Sequence, residues 1–89
     1  MKNTILRPSH ISEEEISFII RDIIQYKLGV EVQKLHEDAH FQDDLGVDSL
    51  DLIELRMEIE KQFNVIITDE EVETLTTVGS TIACIKRKK

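Results

Sequence analysis

Asp44-Leu45-Gly46-Val47-Asp48-Ser49-Leu50-Asp51-Leu52-Ile53-Glu54 is the stretch on which the reading of this chain turns. Its first half is a loop that closes at Gly46, and its second half opens a helix. Asp48 is a favourable N-cap, because its carboxylate accepts from the free amides of the first helical turn. Asp51, three residues on, stands where a capping box places its acidic partner, and both carboxylates suit the positive end of the helix. Ser49 then falls in the first turn with its hydroxyl directed outward, where a phosphate ester would meet unpaired backbone N–H groups. Taken alone, a serine beside an acidic cap is usually helix punctuation. The flanking sequence has to decide.

The helix that starts there runs to Phe63 and carries two apolar faces, one of Leu52, Leu55, Ile59 and Phe63, the other of Leu50, Ile53 and Met57. In a bundle both would be core. Upstream, Ser12-Glu13-Glu14-Glu15 is a capping box. Ile16, Ile19, Ile20, Ile23 and Ile24 follow at offsets of 3, 4, 7 and 8, a helical stripe that Leu28 extends to a C-terminal Gly29. Five isoleucines lower intrinsic helix propensity, so this helix depends on packing; Phe18 falls off the stripe and is predicted to be partly exposed or to cover a loop. Between Gly29 and Val47 lies a long connection with apolar anchors at Val30, Val32, Leu35, Phe41 and Leu45, which predicts a loop lying over the helices.

Downstream, Thr68-Asp69-Glu70-Glu71 is another capping box, opening a short helix over 69–75 with Val72 and Leu75. Thr77 caps a last helix over 77–86 with Val78, Ile82 and Ile85 inward, weakened by Gly79 and Ser80. Cys84 beside that stripe reads as a partly buried filler, and Lys86-Arg87-Lys88-Lys89 as a frayed end that complements the helix dipole. The predicted fold is all-α: three main helices near 12–28, 49–63 and 77–86 plus one short helix, with Ile20, Ile23, Leu55, Ile59, Phe63, Val72 and Ile82 buried.

The window around Ser49 resembles the attachment site of acyl carrier proteins, in which Asp-Ser-Leu follows a short loop ending in Leu-Gly and begins the second helix. The likeness continues through Glu54, Leu55, Met57, Glu60 and Phe63 to Asp69-Glu70-Glu71 and Thr77-Val78, and so spans about Ser12 to Ile85. Thr68 stands where such proteins often have proline, and either suits a helix start. The resemblance implies a four-helix bundle of the acyl-carrier type over 12–86, with a leader over 1–11 and a basic tail over 87–89. It implies that Ser49, flanked by Asp48, carries 4′-phosphopantetheine through a phosphodiester, after loading by a phosphopantetheinyl transferase. Acyl groups would ride as thioesters on the arm's thiol to fatty-acid or related biosynthetic enzymes. Partners with basic docking surfaces would meet Leu50, Asp51, Glu54, Met57 and Glu58. Arg56, Lys61 and Glu58 depart from the usual pattern of that helix and point to the alternative of a specialised carrier, of polyketide or aminoacyl type, with a dedicated ligase.

Composition narrows the field independently. With 89 residues the chain is one small domain that buries about 60–65% of its unfolded surface, which leaves no room for a deep catalytic cleft. Aromatic content is only 4%, so the core must be built from Ile, Leu and Val. The net charge of −7 argues against nucleic acid as a partner. The acid is concentrated: from Glu37 to Glu73 thirteen acidic residues face only Arg56 and Lys61, a local charge of −11 around the serine. No apolar run approaches the ~18 residues of a membrane span, Met1–Ser9 lacks the apolar segment of a secretory signal, and the lone Cys84 forms no intrachain disulfide. A cytoplasmic monomer is expected.

Competing chemistries fare worse. Ser49 has no neighbouring His in sequence and no phosphate-cradling glycine loop accompanies it, so the chain is a poor enzyme and reads as a transferase substrate with no catalytic residues. Asp43 and Glu54 have the spacing of an EF-hand loop, but Leu45, Val47 and Asp48 occupy its third, fifth and glycine positions. His36 and His40 lack a completing ligand and read as solvated loop side chains, so no metal is expected. A plain helical interaction module would need no prosthetic group, but it leaves the Ser49 window unexplained.

Overall fold

The computed structural model describes residues 11–89. It contains α1 (Glu13–Leu28), a 3₁₀ turn (Val32–Lys34), α2 (Ser49–Phe63), α3 (Asp69–Val72) and α4 (Val78–Lys88). The predicted leader lies outside the described residues except for Ile11, which packs half-buried against the core. Among the described residues no helix is long and apolar enough to cross a membrane.

Each main helix begins where its cap dictates. Ser12 accepts from the Glu15 N–H while the Glu15 carboxylate reaches back to Ser12 N–H, a complete box. Gly29 ends α1 at φ 67°, in the left-handed region, and its N–H closes onto the Gln25 carbonyl. The inward stripe of α1 is Ile16, Ile20, Ile23 and Ile24, with Ile19 and Leu28 half-buried at its edges. α2 contributes Leu55, Ile59 and Phe63 to the same core. α4 adds Val78, Thr81, Ile82, Cys84 and Ile85. One exposed ion pair reports how the helices lie: Lys86 near the end of α4 meets Glu13 at the start of α1 (3.6 Å), so α1 and α4 run antiparallel.

The predicted Ile20, Ile23, Leu55, Ile59, Phe63 and Ile82 are all buried, whereas Val72 is only half-buried. The cause is the length of α3. It is a single turn over 69–72 rather than a helix over 69–75, because the chain closes 3₁₀-type bonds there, Thr74 N–H to Glu71 O and Leu75 N–H to Val72 O. Its capping box is complete, Thr68 N–H to Glu71 Oε1 and Glu71 N–H to Thr68 Oγ1.

The long connection is a packed loop. Leu35, Ala39, Phe41 and Val47 are buried, while Val32 is 51% exposed and anchors nothing. The loop is stitched to the start of α4 by Phe41 N–H to Thr76 O, Val78 N–H to Ala39 O and Gly79 N–H to Glu37 O at 2.7 Å. These contacts explain the two weak helix formers. Ser80 completes a capping box with Thr77, and Gly79 leaves room for the loop, since a Cβ there would sit 2.7 Å from Glu37 O. Gly79→Ala gains up to about 1 kcal/mol of helix propensity but forces the loop off α4. The clash dominates, and we expect a net loss of about 1–3 kcal/mol in urea unfolding.

α4 continues through Arg87 and Lys88 where a frayed tail was predicted, because Lys88 Nζ reaches Glu71 Oε1 at 2.8 Å and latches α4 to α3. Cys84, predicted to be partly buried, is wholly covered, and burial pushes its thiol pKa up. Glu71 is held far below its ordinary 4.5, at about 2, first by the Lys88 hydrogen bond and then by the Thr68 amide. A carboxylate with a depressed pKa stabilises the folded state above its unfolded pKa and loses that contribution as pH falls toward the folded value. Acidification from about pH 4.5 toward pH 2 is therefore expected to loosen the latch, with the wild type losing stability faster than Glu71→Gln over that window. Acid-dependent urea midpoints of the two proteins check this.

Candidate functional site

The junction between the long loop and α2 is built by a short network. Asp44 Oδ2 accepts from His40 N–H (2.8 Å), and the amides of Asp44 and Leu45 both donate to His40 O. Gly46 takes φ 66°, which reverses the chain and lets Val47 N–H bond Phe41 O at 2.9 Å. Val47 and Phe41 are both buried, so the residue two places before Ser49 is anchored in the core. Full burial of such side chains stabilises by about 1.5–3 kcal/mol each, enough to hold the junction in one place. His40 Nδ1 accepts from Asp43 N–H, and among the described residues no group of three or more His, Cys, Asp or Glu side chains converges on a metal position.

From that anchor the chain enters α2 with Asp48 as N-cap, its Oδ1 accepting from Asp51 N–H at 2.9 Å. The reciprocal half of the predicted box is missing: the Asp51 carboxylate does not return to Asp48 N–H, so Asp51 acts only through the helix dipole and its charge. Leu52 N–H bonds Asp48 O. Among the described residues this leaves the amides of Ser49 and Leu50 unpaired beside the exposed Ser49 side chain. The fit to a phosphate ester is good, because free amides and a helix end stabilise it.

The second apolar face of α2 is not core. Leu50 is 71% exposed, Ile53 51% and Met57 60%, so this face looks outward from the turn that carries Ser49. Glu54 is exposed beside it. Asp51 and Glu58 sit on the flank toward α1, each partly covered, and Glu58 is paired with Lys27 at 3.8 Å and with Gln62 at 2.9 Å. The Gln62 bond is the main cause of a lowered Glu58 pKa. Lys61 ends the outer face.

Two features escaped sequence reasoning. Arg56 lies across the α2–α3 gap, 3.5 Å from Asp69 Oδ1 and 3.8 Å from Glu60 Oε2. Ile67 is fully buried and its N–H is capped by Glu60 Oε2 at 2.8 Å. Ile67 at N′ and Val72 at N4 of α3 have the spacing of a hydrophobic staple, a signal that could have found the burial of Ile67. Nothing in sequence order announces the Arg56 contacts.

The bundle thus offers an anchored, exposed hydroxyl on a helix end with an apolar and acidic face beneath it, the features of a carrier domain. The chain belongs to the family described as the phosphopantetheine attachment site, whose model matches residues 19–85. Such domains are non-catalytic carriers of covalently bound 4′-phosphopantetheine, and the all-helical fold agrees with that membership.

Proposed function

We propose that Ser49 is the attachment residue and that the protein carries acyl groups to fatty-acid or related biosynthetic enzymes after modification by a phosphopantetheinyl transferase. The observation that carries this reading is the placement of Ser49, exposed on the first turn of α2 above the outward face of Leu50, Ile53, Glu54 and Met57. When bound, the arm supplies a terminal thiol for acyl thioesters. The chain's own residues do the rest. Ser49 would provide the ester oxygen, Asp48 fixes the helix start that presents it, and the unpaired amides of Ser49 and Leu50 would serve as donors to the phosphate. The outward face gives partner enzymes an apolar strip bordered by carboxylates, suited to basic docking surfaces.

A second reading rests on Lys27 pairing with Glu58 and on Lys61 at the end of the same face. That mixed charge favours a dedicated ligase of polyketide or aminoacyl type over a general fatty-acid system. Incubating the phosphopantetheine-bearing protein with ligases of both classes decides between them. A hydroxylamine-labile fatty acyl adduct supports the first reading, and an aminoacyl adduct alone supports the second.

A further inference from the structure

Leu50, Glu54, Met57 and Lys61 recur along α2 at offsets of 4, 7 and 11, a single outward stripe that begins beside Ser49. Where the stripe passes the end of α1, Lys27, Glu54, Met57, Glu58 and Lys61 line an open groove of about 410 Å³, with Met57 60% exposed in it. The charge along it is not uniform. Asp48, Asp51 and Glu54 make the Ser49 end acidic. Further along, Glu58 is already engaged, by Lys27 at 3.8 Å and by Gln62 at 2.9 Å. Glu54 and Lys61 are both exposed, and among the described residues neither forms an ion pair. The groove therefore presents an open carboxylate and an open ammonium group two helical turns apart, about 10.5 Å, with a methionine between them.

Resting on the carrier reading above, we infer that this groove takes a partner segment of mixed sign: an amphipathic helix with a cation opposite Glu54, an apolar side chain on Met57 and a carboxylate opposite Lys61. An all-basic docking surface is disfavoured here. Its second cation would face Lys61, and Glu58, held by Lys27 and Gln62, is not free to receive it. A helix lying along α2 repeats the two-turn separation when its basic and acidic residues stand seven apart, with the apolar residue three or four from the cation. The unbranched thioether of Met57 adapts to apolar side chains of different shape. Each exposed charge contact adds little affinity, but the pair of opposite signs fixes the register of the partner and rejects surfaces of one sign.

The test uses the phosphopantetheine-bearing protein, its mass gain confirmed first, and two stapled helical peptides that differ at one position. One carries arginine, leucine and glutamate at relative positions 0, 3 and 7; the other has arginine in place of the glutamate. Titrations followed by the Met57 methyl resonance give both affinities for Lys61→Glu and for Arg87→Glu. These variants change net charge equally, at an exposed residue of α2 and of α4 respectively, so general attraction to an acidic chain is the same in both. The preference for the mixed peptide over the all-arginine one is expected to be at least about fivefold lower in Lys61→Glu than in Arg87→Glu. That difference should shrink as salt rises. Equal preferences in the two variants, or no movement of the Met57 signal with either peptide at about 1 mM, would overturn the inference while leaving the carrier reading intact. Absence of any mass gain would remove both readings together.

Discussion

Ser49→Ala is expected to lose phosphopantetheine attachment completely while keeping the fold. The ester oxygen is gone and no described neighbour replaces it, whereas the side chain is exposed and contributes nothing to the core. Alanine is also a better helix former than serine, so the change in stability should stay within about 0.5 kcal/mol. The cap does not depend on Ser49, since Asp48 alone accepts from Asp51 N–H. Circular dichroism and a urea melt should superimpose on those of the wild type. An alanine variant that still gained the arm would show that the assignment is wrong.

The second large effect is kinetic. Asp51→Lys combined with Glu54→Lys changes the local charge next to Ser49 by four units without touching a buried residue. Individual exposed ion pairs are weak, about 0.2–1 kcal/mol. Their summed field nevertheless steers encounter, and removing it should slow transferase loading by at least about tenfold at low salt. The gap should close as ionic strength rises and the Debye length falls below about 10 Å. Stability should drop by only about 1 kcal/mol, mostly because a lysine in the first turn opposes the helix dipole. Loading rates that ignore both the reversal and the salt would remove α2 as an electrostatic recognition face.

What the sequence made legible was whatever local chemistry determines. The Ser12, Thr68 and Thr77 caps, the left-handed Gly29 and the isoleucine stripe of α1 all lie where residue type and spacing put them. The position of Ser49 follows from the Asp48 cap in the same way. Periodicity could not decide whether Leu50, Ile53 and Met57 pack inward, because an apolar face has the same period against a neighbour or against solvent; the structure leaves them exposed. Features that depend on distant segments were hidden. Gly79 reads as a weak helix residue until the Glu37 carbonyl is seen against it. Lys88 reads as a frayed end until Glu71 is found within 2.8 Å. Glu58 reads as one of an acidic row until Lys27 arrives from α1.

The most direct test of the central claim is to locate the modification itself. After incubation with coenzyme A and a phosphopantetheinyl transferase, peptide fragmentation should place a single phosphopantetheinyl group on Ser49 and none on Ser9, Ser12, Ser17 or Ser80. An arm on any other residue, or an intact protein that gains no mass from any transferase tried, would contradict it.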